Sequence, residues 1–93
     1  MTVSEIRDQY PNSIIALCYG TAHVFISLST AKRFFKTAML GCDGCEAERY
    51  ALIVDKLADG WTVVSDNENI LTEDCEFTSM VRNLQLHGRI KNR

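Results

Sequence analysis

Between Ser29 and Gly60 the chain carries two apolar stripes of helical period separated by a glycine, and no other feature narrows its fold as far. Ala31, Phe34, Phe35, Ala38 and Met39 fall at i, i+3, i+4, i+7 and i+8, the spacing that lines one face of an α-helix. Ser29 or Thr30 is suited to cap its start, and Gly41 ends it. Asp43 with Glu46 three residues on has the form of a capping box. Behind it Ala47, Tyr50, Ala51, Val54, Leu57 and Ala58 repeat at helical spacing. Gly60 and Trp61 suit a glycine-terminated stop, with the indole folded back toward Leu57. Two helices, 30–40 and 44–59, joined by so short a connection are expected to lie antiparallel. Each then presents an apolar face that needs a covering layer.

The flanking segments supply that layer. Thr2-Val3-Ser4-Glu5 reads as a capping box, with Val3, Ile6 and Tyr10 behind it, so a short helix is predicted over 3–10 and Pro11 closes it. Ile14–Tyr19 and Val24–Leu28 are rich in β-branched and aromatic residues and are separated by Gly20-Thr21-Ala22-His23, which predicts a β-hairpin over 14–28. Both strands are apolar at nearly every position, so both faces of the sheet should be covered. Trp61–Ser65 reads as a strand, Asp66–Asn69 as an acidic turn, and Ile70-Leu71 as a further short strand. Beyond Thr72, the positions Phe77, Met80, Val81 and Leu84 predict a last helix ending by Gly88, although the alternation Leu84, Leu86, Gly88, Ile90 also suits a strand. The expected fold is α+β: a small antiparallel sheet (β-hairpin 14–28 plus strand 61–65) packed against the helical hairpin, with short N-terminal and C-terminal helices, all in one domain spanning 1–93.

Composition fits that expectation, because 46% apolar and 24% charged residues are values of ordinary globular domains rather than of disordered chains. A chain of 93 residues buries only about 60–65% of its unfolded surface, so a homodimer would add stability. The polar, acidic start lacks the basic and apolar run of an export signal, and the charge-poor stretch 13–31 is broken by turn residues. A cytoplasmic location is therefore the expectation, and the four cysteines, Cys18, Cys42, Cys45 and Cys75, are expected as reduced thiols.

Cys42-Asp43-Gly44-Cys45 is the one local motif that hints at chemistry. Two thiolates at this spacing serve zinc sites, but such a site needs two more ligands, here from Cys18, Cys75, His23 or His87, and no second close pair exists. A redox pair would gain from Cys45 in the first turn of a helix, yet thioredoxin-like proteins place the motif after a strand and use a cis-proline, whereas here it follows a helix and Pro11 is the only proline. The expectation is structural: Cys42 beneath the turn and Cys45 an ordinary helical residue. His23 and His87 each fall near an expected element end, where a dipole-compensating role is commoner than a catalytic one. Ser27, Ser29 and Ser65 lie in no nucleophile elbow, and the five glycines form no phosphate-binding loop. No enzymatic activity and no cofactor are expected.

Charge is unevenly spread. Residues 43–76 hold ten acidic and two basic side chains, whereas 77–93 hold four basic and none acidic. Asp55, Asp59, Asp66, Glu68, Glu73, Asp74 and Glu76 sit in or beside connections, where they could form an acidic surface that steers a basic partner. Lys32, Arg33 and Lys36 share the polar face of the first hairpin helix, and Arg82, Arg89, Lys91 and Arg93 crowd the C-terminus. Nucleic-acid binding by these cations is disfavoured by a pI near 5.6 and by the acidic helix beside them.

The stretch Thr30-Ala31-Lys32-Arg33-Phe34-Phe35-Lys36, with Cys42-Asp43-Gly44, Glu48-Arg49-Tyr50, Ile53, Leu57 and Gly60, resembles a group of small uncharacterised bacterial proteins often carried on mobile elements. The resemblance covers about a third of the chain and implies an accessory protein, an inhibitor or regulator acting by binding. The functional expectation is thus protein–protein binding through the acidic surface, with a thiol or zinc protein using Cys42 and Cys45, or a nucleic-acid-binding regulator, as the alternatives.

Overall fold

The computed structural model describes residues 1–41, 44–65, 70–72 and 81–90. Helix α1 spans Val3–Gln9, and the Thr2 side chain accepts a hydrogen bond from the Glu5 amide at 3.3 Å, the cap read from the sequence. Strands β1 (Ile14–Cys18) and β2 (Thr21–Phe25) form an antiparallel hairpin. Its turn is the pair Tyr19-Gly20, with φ of 52° and 85°, the doubly left-handed geometry whose twist matches that of paired strands. The turn is therefore shorter than the expected Gly20–His23, and His23 lies inside a strand rather than at an element end.

Helix α2 (Leu28–Leu40) is capped by Ser27, whose Oγ accepts from the Thr30 amide at 3.2 Å. The cap sits two residues earlier than the expected Ser29, because the backbone is still extended at Ser27, with φ −154°. Helix α3 covers Gly44–Ala58. At its end the Gly60 amide donates to the Leu57 carbonyl and the Trp61 amide to Lys56, both at 3.1 Å, which is the predicted glycine-terminated stop. Strands β3 (Val63–Ser65), β4 (Ile70–Thr72) and β5 (Asn83–His87) complete the set.

The fold is α+β, and the five strands among the described residues form one sheet in the order β4-β3-β1-β2-β5. That sheet is mixed, which corrects the antiparallel expectation: β1 pairs with β3, and β2 with β5, in parallel. The helical hairpin is the cause for β3. Two antiparallel helices return the chain to the end of the sheet from which β2 left it, so β3 runs against β2 and hence along β1. A second correction concerns residues 83–87, which form an edge strand and not the end of a helix. Leu84 belongs to both the helical and the alternating pattern, and pairing with β2 decides between them. Gly88 makes that pairing possible, since a Cβ there would lie 2.5 Å from Ile26 Cγ2. The remainder of the predicted last helix, 73–80, lies outside the described residues, as does the acidic turn 66–69.

Both faces of the sheet are covered over β1 and β2, as their apolar sequences predict, and over β3. On one face Val3 and Ile6 of α1, with Tyr10 at its C-cap, pack with Ile15, Leu17, Ala22, Val24, Val64 and Val81. On the other, Ala31 and Phe35 of α2 and Ile53 and Leu57 of α3 pack with Ala16, Cys18, Phe25 and Val63. Each fully buried large side chain contributes about 1.5–3 kcal/mol, so the helical hairpin is bound to the sheet chiefly by these contacts. No helix among the described residues is long and apolar enough to cross a membrane.

Candidate functional site

The helix-covered face ends, beyond Phe25, in a cluster of rings. Parallel pairing sets His87 opposite Phe25 and Gln85 opposite His23, so alternation sends both histidines to the α2 side. There His23 Nδ1 and His87 Nε2 lie 3.0 Å apart, a hydrogen bond that requires one ring to donate and the other to accept. The His87 ring stacks on Phe25, with centroids 4.6 Å apart. Phe34 of α2 approaches both His23 and His87 at 4.7 Å and meets Phe35 edge-on at 5.1 Å. Such ring pairs add to the area they bury.

Burial, and then the charge of the neighbouring His87, pushes His23 down to about 4. Burial also lowers His87. Both rings are therefore neutral at neutral pH. A base of so low a pKa accepts protons poorly there, so the pair acts as an uncharged, internally bonded wall.

Outside this wall an open groove of about 400 Å³ runs between α2 and β5, lined by Thr30, Arg33, Phe34, Thr37, Ala38 and His87. The Thr37 hydroxyl donates to the Arg33 carbonyl at 3.0 Å, and Thr30 Oγ1 lies 3.0 Å from Ser27 Oγ. Arg33 is exposed at the lip, and Lys32 and Lys36 are exposed on the same helix. Of the three cations named from the sequence, Arg33 lines the groove beside an aromatic floor that the sequence did not reveal, whereas Lys32 and Lys36, each two residues from Phe34 on α2, lie round the helix from it.

A second cluster closes the carboxyl ends of the parallel pair β1 and β3. Arg49 Nε donates to Ser65 Oγ at 3.2 Å, and the guanidinium stands 5.9 Å from the centre of the Tyr19 ring. Cys18 beside them is a free, buried thiol. Burial pushes it up to about 11, against the opposing charge of Arg49, so it stays protonated and unreactive.

The remaining expectations fall differently. Asp55 and Asp59 are exposed at the end of α3, whereas Asp66, Glu68, Glu73, Asp74 and Glu76 lie outside the described residues. Cys42 also lies outside them, and Cys45 falls in the first turn of α3. Arg82 and Arg89 flank β5 and are exposed, while Lys91 and Arg93 lie outside. Among the described residues no group of three or more His, Cys, Asp or Glu is placed to hold a metal, and two imidazoles alone are too few ligands for a structural zinc. The histidine pair has no local signature, because each ring falls near an expected element end in the sequence. The usable signal was the alternation from Leu84 to Ile90, which, taken as a strand, puts His87 on a definite face. No protein family, no curated protein and no solved structure matches the chain.

Proposed function

We propose that this chain is a small accessory protein that works by binding another protein, and that the groove between α2 and β5 takes an acidic segment of that partner bearing one bulky apolar side chain. The observation that carries this reading is an aromatic floor joined to a cationic lip in one open groove. Phe34 and His87 offer ring faces to an apolar side chain. Arg33, the one cation among the residues that line the groove, attracts the carboxylates that flank it. A volume of about 400 Å³ holds one or two large side chains, and the groove is open, so it suits a peptide anchor better than a ligand enclosed on all sides. An inhibitor or regulator, the role that the resemblance implies, needs no more than such a surface.

The acidic surface read from the sequence would serve a basic partner instead. Its described part is Asp55 and Asp59, with Lys56 between them.

Selection of a displayed random-peptide library on the purified protein tests the reading. Enriched peptides are expected to carry an aromatic or large aliphatic residue flanked by Asp or Glu. They should lose binding to Arg33→Glu and to Thr37→Trp, which reverse the lip charge and fill the groove at exposed positions. Enrichment of basic peptides, or binding indifferent to both substitutions, would overturn it.

A further inference from the structure

Among the described residues strand β5 is an edge of the sheet, and it is exposed over most of its length: residues 83–86 are exposed and His87 is half-buried. Its ladder to β2 fixes which backbone groups point outward. The Asn83 amide donates to the Gly20 carbonyl and the His87 carbonyl accepts from the Ile26 amide, so Asn83, Gln85 and His87 bond toward β2. Alternation then aims the amide and carbonyl of Leu84 and Leu86 at the open edge. Their side chains share the α1 side with Ile26 and are 36%, 46% and 48% exposed, respectively. Edge strands are ordinarily blunted by lysine, proline, a bulge or a covering element. The five residues of β5 include no Lys, Arg, Asp, Glu or Pro.

We infer that this edge is covered by the same edge of a second copy, β5 against β5 in antiparallel register about a two-fold axis through Gln85. The order Leu84-Gln85-Leu86 reads the same in both directions. Centring the axis on Gln85 therefore sets Leu84 opposite Leu86 of the second copy, and the reverse. Those are the residues whose backbone groups face outward, so each of these two opposed pairs exchanges both of its hydrogen bonds. The same register places Arg82 opposite Gly88 and Arg89 opposite Val81, and no two like charges stand directly opposed. Four leucines then form one apolar patch on the α1 side. On the other side the two copies of α2 become walls of a single trough, floored by Asn83, Gln85 and His87 from both strands. The dimer does not rest on the acidic-segment reading of the groove. A five-residue edge covers less than the roughly 800 Å² per partner of a standard interface, so the association is expected to be micromolar and reversible.

Sedimentation equilibrium across micromolar to millimolar protein tests this. The wild-type chain is expected to pass from monomer to dimer. The double variant Leu84→Lys, Leu86→Lys, altered only at exposed positions, should weaken association at least about tenfold with an unchanged circular dichroism spectrum. Gln85→Cys should give a disulfide-linked dimer on mild oxidation, because opposed residues of a non-hydrogen-bonded pair have Cα atoms about 4.5 Å apart. Non-reducing peptide maps should place that link between the two introduced thiols, and Leu84→Cys should form none with itself. A monomer through the millimolar range, as when residues 73–80 of the same chain cover these leucines, overturns the inference. So does a dimer indifferent to the lysine pair, which would use another surface.

Discussion

His23 Nδ1 lies 3.0 Å from His87 Nε2 across 64 residues of chain, a side-chain contact added to the backbone ladder that joins the last described strand to β2. It joins β2 to β5 on the face where Phe25 and Phe34 enclose both rings. Removing either ring leaves a polar nitrogen of the other without its partner in an aromatic setting, where an unsatisfied group costs about 1–3 kcal/mol.

Stability should fall in acid because of this pair. His23 is lowered from 6.5 to about 4 in the folded chain. Above 6.5 neither state is protonated there and the group has no effect. Below it the unfolded chain takes up a proton that the folded one refuses, and the loss grows until about pH 4, reaching at most about 3 kcal/mol. His87 is shifted in the same direction. Urea midpoints measured through this window should drop as the pH is lowered, and His23→Phe should flatten the profile. An unchanged slope in that variant would assign the acid sensitivity to other groups.

Replacing Gly88 should be costly for a reason local to one contact. A Cβ at Gly88 meets Ile26 Cγ2 at 2.5 Å, and the backbone φ is +104°. Gly88→Ala is expected to lower stability by about 1–3 kcal/mol. Ile26→Ala removes the 2.5 Å contact with Cγ2 but keeps Ile26 Cβ, 3.0 Å from the added atom, and the backbone strain, so in a double-mutant cycle it should recover only part of the loss. Full additivity of the two changes would contradict the contact.

The cap of α2 separates two neighbouring serines. Ser27→Ala removes the acceptor for the Thr30 amide and should cost about 1 kcal/mol. Ser29 is exposed within the first turn, and Ser29→Ala should change stability by less than about 0.5 kcal/mol. Thermal or urea unfolding of the two variants side by side checks the order.

Cys18 should resist alkylation in the native protein. Its thiol is buried and held near 11, so at neutral pH both access and thiolate are lacking. Mass mapping after a short iodoacetamide pulse should find it unlabelled without urea and labelled with it.

The elements written in local signals were legible before any coordinates. The Thr2 cap, the Phe34-Phe35 pair and the Gly60-Trp61 stop each draw on residues within one or two turns, and each stands where expected; the stripe read for α3 is partly displaced, since Ile53 is buried with Leu57 whereas Ala51 and Ala58 are exposed. What pairing decides was not legible. Tyr19-Gly20 does not carry the Asn-Gly or Asp-Gly signature of a two-residue turn, so local signals place the turn too late and put His23 at an element end. Leu84 satisfied two periodicities at once, and only the presence of β2 alongside selects one. The aromatic floor of the groove needed both of those placements, which is why the cations of α2 were visible in the sequence and the cavity beside them was not.

The paired helices α2 and α3 leave the sheet and rejoin it at the same end, so their common length is decoupled from the strands. Adding equal whole turns on either side of Gly41 would lengthen the layer while leaving β2 and β3 in register. An architecture of this kind can enlarge or reshape one wall of its groove by insertion at a single tip, and the sheet beneath need not be rebuilt to accommodate it.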